Sequence, residues 1–583
     1  MLLNVRKLSS SAGKQGKFIV KALVAGLCLS GSFFSASALA QPEQQPSQQG
    51  PEYQLMLIGG GLKICSSMDS MNCNLADWFD RDQMRMDRYI NLGGRYRAAA
   101  LDDSVWPALR RPMRDRVSDA LDTVYDRVKE KVIPERVFVE EFTRRANRHL
   151  YSELSDAEWN RIIDHLEMPV PEGMSEQANI SDNLNKASRE IVKRFVALAA
   201  EVRSNKGDDE KPEILVITAG SRDPLHAADL YLSVFENAGA TTTWLPMDAA
   251  VAEAQRDNGC DKLDSYRPKA LGSWDRARVH SQRHETQVSF CKNENAWSEL
   301  LGNADAVFFA GDNQNLVRKA FLNQENRPTE LLRAIYSAVQ SKTLVVGANA
   351  GGTAAITARP MITNGTSRAA MIDGAISSEP PPFNCHRDNS CPQNLDQNSL
   401  TYHPLGGLGL FPYATLDTEF SELGRHARML RVAATTSTPM AVGIDANTAL
   451  MVNLMDSKFR VFGERGVFFS MTAQQTDAAV ASAFHYLLDG SHGTISDSDI
   501  SDVQLSDNVG LITAEPSTKF MAARGSIDAL RLLCSERNQM RLVEDAFTMI
   551  LQVDDASTTK KTGGECQILN GRIGVMYDAP KQF

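Results

Sequence analysis

The chain has 583 residues, 43% of them apolar and 23% charged, and a formal net charge of −10. Such a length implies more than one domain, and such a composition excludes bulk disorder. The acidic balance disfavours nucleic acid as a partner and suits basic ligands, although acidity also serves solubility.

Residues 1–40 read as a secretory signal. They carry Arg6, Lys7, Lys14, Lys17 and Lys21 with no acid, an apolar run from Ala22 through Phe34, and Ala38-Leu39-Ala40 before Gln41. The run is too short and too rich in small residues to favour a permanent span, and Cys28 follows Leu27 where a lipoprotein signal wants a small residue. The expected product is exported, periplasmic or extracellular, with no membrane span once the signal is removed. Losing those five cations takes the net charge from −10 to about −15. Of nine cysteines, eight remain, an even number suited to an oxidising compartment. They fall into neighbouring pairs along the chain: Cys65 with Cys73, Cys260 with Cys291, Cys385 with Cys391, Cys534 with Cys566. Eight cysteines permit roughly a hundred connectivities, so this pairing is an expectation. A rival set of metal ligands, Cys385, His386, Cys391 and His403, lacks the tight spacing of structural zinc sites. No metal or organic cofactor is expected.

Residues 41–52 form a Gln/Pro-rich linker, after which Tyr53 to Ile58 is an apolar strand ending at Gly59-Gly60-Gly61. Those glycines lack the full dinucleotide-binding spacing and read as a tight strand-end turn. From about Leu75 to Arg203, apolar residues recur at helical spacing, as in Met113 to Val132 and Ala187 to Val202. Ser155-Asp156-Ala157-Glu158 fits a capping box. Residues 66–205 are therefore expected to be a helical insertion.

Strand, turn and helix then repeat. Glu213 to Thr218 leads through Ser221-Arg222-Asp223-Pro224 into a helix, and Ala306 to Ala310 leads through Gly311-Asp312-Asn313-Gln314 into another. The third unit is Leu344-Val345-Val346-Gly347-Ala348-Asn349-Ala350-Gly351-Gly352, a buried strand running into a sharp elbow. Repeats of this kind predict an α/β fold, a parallel sheet covered by helices on both faces, with ligands at the carboxyl ends of the strands. Ser221, Gln314 and Asn349 are expected to converge there, with Asn349 as the side chain that the elbow lifts. An amide cannot be deprotonated to carry an acyl group, so the central atom of a hydrolase scaffold looks wrong. Strands are expected at Met440 to Ile444, Ala449 to Asn453 and Phe459 to Phe462. The core is read as 53–65 and 206–485, and 486–583 as a C-terminal α+β extension with helices at Ile527 to Cys534 and Leu542 to Leu551 and a strand near Arg572 to Tyr577.

Several of these motifs occur in one order: Ser221-Arg222-Asp223-Pro224 with Tyr231 and Phe235, the turn with Gln314, the Gly347 to Gly351 elbow followed by Met361-Ile362, Gly407-Leu408-Gly409, Asp417 with Phe420, and Gly443-Ile444-Asp445 with Thr448. In that order they resemble the cyanophycinases of peptidase family S51. The resemblance implies a flavodoxin-like fold similar to class I glutamine amidotransferases, and serine exopeptidases or hydrolases of cyanophycin, an aspartate-backbone polymer with arginine side chains. The family elbow reads Gly-Thr-Ser-Ala-Gly with Ser as nucleophile, and the matching residue is Asn349. The family base lies in Asp-Gln-His-Phe, here Asp417-Thr418-Glu419-Phe420, which puts Glu419 where His is expected. The third member lies in Gly-Ile-Asp-Glu, here Gly443-Ile444-Asp445-Ala446, so Ala446 replaces a carboxylate. No intact catalytic set is expected.

The resemblance and the retained glycines leave a candidate ligand site of Gln314, Asn349, Ala350, Gly351, Asp417, Glu419, Arg425 and Arg428. In it, backbone N–H groups near Ala350 bind an anion or carbonyl oxygen, and Asp417, Glu419 and Asp445 supply negative character. Arg425 and Arg428 read equally well as a solvated helix face, and Asp417 and Asp445 as structural turn residues. Three functions fit: a noncatalytic binder of a peptide-like or arginine-rich ligand or a protein partner; a serine-type hydrolase rewired to Thr353, Thr418 or Ser221, or using Glu419 as a base for water, with His403 and His426 the nearest histidines; and an assembly protein that captures its partner through the insertion.

Overall fold

The computed structural model of the protein describes residues 50–578 apart from 104–105, 147–148, 508–516 and 536. The expected signal and most of the linker lie outside the described residues.

Two large sheets make a mixed α/β protein. The first is built on β1 (Leu55–Ile58), β2 (Glu213–Ile217), β3 (Thr241–Trp244), β4 (Ala306–Phe309) and β5 (Val345–Asn349), parallel throughout in the order β3-β2-β4-β5-β1. These strands are near-continuous apolar runs because both their faces are covered. Leu55, Leu57, Leu215 and Ile217 pack to one side, Met56, Ile58, Ile214 and Val216 to the other. The second sheet begins with β6 (Thr415–Thr418) and β7 (Met440–Ile444). The chain then returns to the first sheet, where β8 (Thr448–Asn453) pairs antiparallel with β1 and β9 (Lys458–Gly463) with β8. It crosses again for β10 (Gly466–Thr476) and β11 (Ala479–Leu488), which continue the second sheet from β7.

The expected boundary at 485 falls inside β11. Past it, β12 (His492–Ile495) and β13 (Ile500–Gln504) extend the first sheet. Three more strands, β14 (Gln539–Glu544), β15 (Phe547–Gln552) and β16 (Glu565–Tyr577), extend the second, and a fourth, Thr558–Thr562, pairs with β16. The helix expected at Leu542 to Leu551 is instead the β14–β15 hairpin, with Asp545 turning at φ 53°. Phe547, Met549 and Leu551 bury at a spacing of two against the helix Gly525–Leu533, so sheet pairing overrides the helical reading.

Within 66–205, helices α1 (Arg111–Val128) and α2 (Asp156–Leu166) share a core of their own with the hairpin Tyr89–Asn91/Val132–Pro134. Ser155 and Glu158 form the capping box of α2. Helix α3 (Lys186–Asn205) departs from the insertion: Phe195 packs at 5.4 Å from Phe235 and 5.3 Å from Phe308, against the first sheet. The insertion is tied to the core by buried charge. Glu167, just past α2, accepts from Arg85, Arg88 and Arg276 at 2.9–3.0 Å. Arg276 also pairs with Asp223, whose carboxylate caps α4 (Pro224–Asn237) by accepting from the His226 N–H, and Arg222 reaches Asp164 at 2.7 Å.

The structure contains disulfides Cys65–Cys73, Cys260–Cys291, Cys385–Cys391 and Cys534–Cys566. The rival metal set is thereby dismantled: Cys385 and Cys391 are bonded to each other, and His403 Nε2 pairs with Glu379 at 2.9 Å. Among the described residues, no helix is long and apolar enough to cross a membrane.

Candidate functional site

β5 runs three residues beyond the apolar run that ends at Val346 and includes Asn349, which pairs in register with Ile58. The residue at the apex of the elbow is therefore Ala350, with φ 51° and ψ −116°, before the short helix α5 (Gly351–Ala355). A non-glycine residue in this conformation at a strand-to-helix turn is the one whose side chain an elbow lifts. This corrects the expectation that Asn349 is lifted: the apex carries a methyl group. The turn can be this sharp because α5 lies directly on the neighbouring strand end. A Cβ on Gly351 would sit 2.3 Å from the Asp312 carbonyl carbon, and one on Gly352 2.3 Å from the Phe309 oxygen.

The other two positions converge on the same spot. Gly59-Gly60-Gly61, at the end of β1, links the elbow to both motifs of the second sheet: the Glu419 N–H donates to the Gly59 oxygen and the Asn447 N–H to the Gly60 oxygen, each at 2.7 Å. A Cβ on Gly60 would meet Glu419 Cγ at 3.0 Å and the Ala350 Cβ at 3.2 Å; one on Gly61 would meet the Ala446 Cβ at 2.8 Å. Ala350, Glu419 and Ala446 thus surround one glycine turn. Glu419 itself has φ 45°, and burial raises its carboxyl above the ordinary value, with Arg425 pulling the other way.

Most of the remaining expected ligand groups are spent on one another. Asp417 takes two hydrogen bonds from Arg428, at 2.6 and 2.8 Å, and a third from Arg425 at 3.3 Å. Burial opposes its ionisation, but Arg428 and Arg425 hold its carboxyl below the usual range. Arg428 is buried in α6 (His426–Thr435), and Arg425 precedes that helix with its guanidinium on the Thr418 oxygen at 2.6 Å, so neither belongs to a solvated face. Burial and the neighbouring Arg428 lower the Arg425 guanidinium to about 10. Asp445 accepts from the Ser421 N–H and the Tyr486 hydroxyl, and burial followed by the charge of Glu422 raises it. Gln314 Nε2 donates to the Ile362 oxygen at 2.8 Å. The N–H groups of Ala350 and Gly352 are also taken, by the oxygens of Ile58 and Gly311. Gly351 remains as the close-approach residue of the turn.

The candidates for a relocated nucleophile are no better placed. Thr353 is fully buried with its hydroxyl donating to the Ile58 oxygen at 2.7 Å. His426 is buried between Phe420 and Phe468, neither ring nitrogen has a partner, and burial lowers it to about 3. His403 is engaged by Glu379. Thr418 is buried on β6, and Ser221 follows β2 on the far side of β4 from β5, so the parallel strand ends separate it from the elbow.

Open space lies beside Asn349. A cavity of about 210 Å³ is lined by Asn349, Tyr231, Asp312, Ser66 and Glu176 with apolar walls from α3 and α4. Asn349 Nδ2 donates to the Tyr231 hydroxyl at 3.1 Å, and burial pushes that phenol up to about 12. Tyr231 and Asp312 stand in motifs visible in the sequence. Ser66 and Glu176 carry no such signal, since Glu176 arrives from the end of the insertion through the bridge between Ser66 and Ala178.

No protein-family model matches this chain. Among solved structures it is similar to a peptidase from an acI-B1 Actinobacterium, at 14% identity over 52% of this chain and 91% of that one, with a TM-score of 0.32.

Proposed function

We propose that the protein is an exported, noncatalytic relative of the cyanophycinase-like peptidases of family S51, on a flavodoxin-like scaffold, and that it works by binding a peptide-like or basic, arginine-rich ligand. The observation that carries this reading is the methyl of Ala350 at the elbow apex. Acyl transfer needs an atom there that forms and releases an ester or thioester, and a methyl does neither. Glu419 and Ala446 support the same conclusion. An imidazole shuttles a proton between nucleophile and leaving group and needs a partner to orient it, and neither imidazole nor partner is present at these positions. The test is to offer the purified mature protein cyanophycin and a β-aspartyl-arginine dipeptide, measuring binding and hydrolysis on the same samples. Saturable binding without turnover is the expected result; turnover that disappears on substituting a residue of the site would refute it.

A second reading, capture of a protein partner through the insertion, rests on a cleft of about 1240 Å³ between the hairpin Tyr89–Asn91/Val132–Pro134 and the segment around Met168, into which Met68, Met84, Met86 and Met174 also project. Flexible thioethers suit a surface that adapts to a partner. Substitutions at Met84 and Met168 would then abolish capture while substitutions at Glu419 would not.

A further inference from the structure

The cavity beside the elbow gathers acceptors without a cation. Ser66, Glu176 and Asn349 are its buried groups, Asp69 and Asp312 stand exposed at its rim, and no Lys, Arg or His lines it. The Arg85 guanidinium acts on Glu176 only from a distance, being hydrogen-bonded to Glu167 and His226. An array of carboxylates that lacks a counter-charge attracts a cation, but acidic clusters are common on protein surfaces.

Asn349 adds an independent observation. Its side chain is 5% exposed, its Nδ2 is used on Tyr231, and its Oδ1 has no hydrogen-bond partner at all. A buried, orphaned amide oxygen costs about 1–3 kcal/mol unless something donates to it. Here that oxygen belongs to a residue lining the acidic cavity. Burial raises Glu176 to about 7, the behaviour of a carboxylate whose charge has no adequate partner.

The detail of Glu176 selects among cations. One of its oxygens accepts from the Ser66 hydroxyl, leaving a single free oxygen. A guanidinium gains most from a carboxylate by a two-pronged fork, which Ser66 denies it, whereas an ammonium presents three separate donors to acceptors arriving from different elements. The walls, which include Val192, Leu230 and Phe235, are apolar, and the volume is smaller than that of ordinary drug-sized pockets.

We propose that this cavity binds a primary alkylammonium, whose N–H groups donate to Asn349 Oδ1 and the free oxygen of Glu176 while its carbon chain lies on Val192, Leu230 and Phe235. The ammonium belongs either to a free alkylamine or to a lysine side chain. The assignment rests on the binding reading above and, among the basic ligands of that reading, favours an ammonium over the guanidinium of an arginine-rich one.

Calorimetric titration of the mature protein at pH 8 with n-pentylamine, Nα-acetyl-lysine amide, agmatine and the uncharged 1-pentanol tests it. Pentylamine should bind saturably and more tightly than agmatine, with no detectable heat from pentanol. Glu176→Gln should weaken pentylamine at least tenfold, and Asn349→Asp should tighten it. Binding of acetyl-lysine amide as well would support the site and identify a side-chain source; binding of pentylamine alone would support it and identify a free amine. Equal binding of pentanol, no binding of pentylamine, or pentylamine affinity unchanged in Glu176→Gln would overturn the proposal. Cyanophycin binding retained in the same samples would then show that the broader reading survives.

Discussion

Ala350 holds a backbone conformation that costs a residue with a side chain about 1–3 kcal/mol. In a working hydrolase such strain is repaid by chemistry, and in this chain it is spent on presenting a methyl. Ala350→Gly should therefore stabilise the protein by about 1 kcal/mol in denaturant titration, because glycine adopts φ 51° without a Cβ penalty. Glu176 makes a pH-dependent prediction. Its carboxyl titrates near 7 when folded against an ordinary 4.5, so between those values the folded state holds a proton that the unfolded chain has lost. Stability should fall as pH rises through that window, by at most on the order of 3 kcal/mol, and Glu176→Gln should remove that part of the slope. A Glu176→Gln profile that superimposes on the parent would contradict the buried, unpaired assignment. The one-residue offset at the elbow has a physical origin in the sequence. Gly351 and Gly352 both satisfy a close-approach requirement, so the glycine pattern fits either register, and only the backbone angles distinguish them.

At the scale of elements, the parallel strands and their turns were legible because strands buried on both faces read as short apolar runs ending in glycine. The 545 hairpin was not, since Leu542, Ala546, Met549 and Ile550 recur at helical spacing while Phe547, Met549 and Leu551 alternate as in a strand, and pairing with β16 decides between them. The role of Ser221-Arg222-Asp223-Pro224 was also hidden. Arg222 and Asp223 serve as clasps between insertion and core, and their partners Asp164 and Arg276 lie more than fifty residues away. Glu167 is the centre of that clasp: burial opposes its charge, yet Arg88 and Arg276 hold its carboxyl far below the usual range. Removing one partner leaves the others buried and uncompensated, so Arg276→Met should cost about 3–5 kcal/mol by chemical denaturation. A loss below about 1 kcal/mol would mean that the network is not coupled to global folding. Because Glu167 and Asp223 are both depressed, their contribution is present at neutral pH and is lost as pH falls through the acid range.

On the scale of the whole molecule, the two sheets share a core and are joined at a junction where Gly59-Gly60-Gly61 bonds to Glu419 of one motif and Asn447 of another. That junction brings the elbow, the Asp417–Phe420 segment and the Gly443–Ala446 segment together. What motif order could not supply is the saturation of the candidate polar groups: Asp417 by Arg428, Asp445 by Tyr486 and Ser421, Gln314 by Ile362. The negative character expected of Asp417 and Asp445 is instead found around Asn349, in Glu176 and the rim acids Asp69 and Asp312, because the insertion delivers a carboxylate that the core lacks.

The central claim is that the elbow, with Ala350 at its apex and Glu419 and Ala446 beside it, carries no reacting groups. Hydrolysis of the β-aspartyl-arginine dipeptide should be measured for the mature protein beside the triple variant Ala350→Ser, Glu419→His, Ala446→Glu, each against a heat-treated control. The account predicts no turnover by the parent and measurable turnover by the variant. Turnover by the parent that is lost when Glu419 or Asn349 is substituted would contradict it and identify an enzyme.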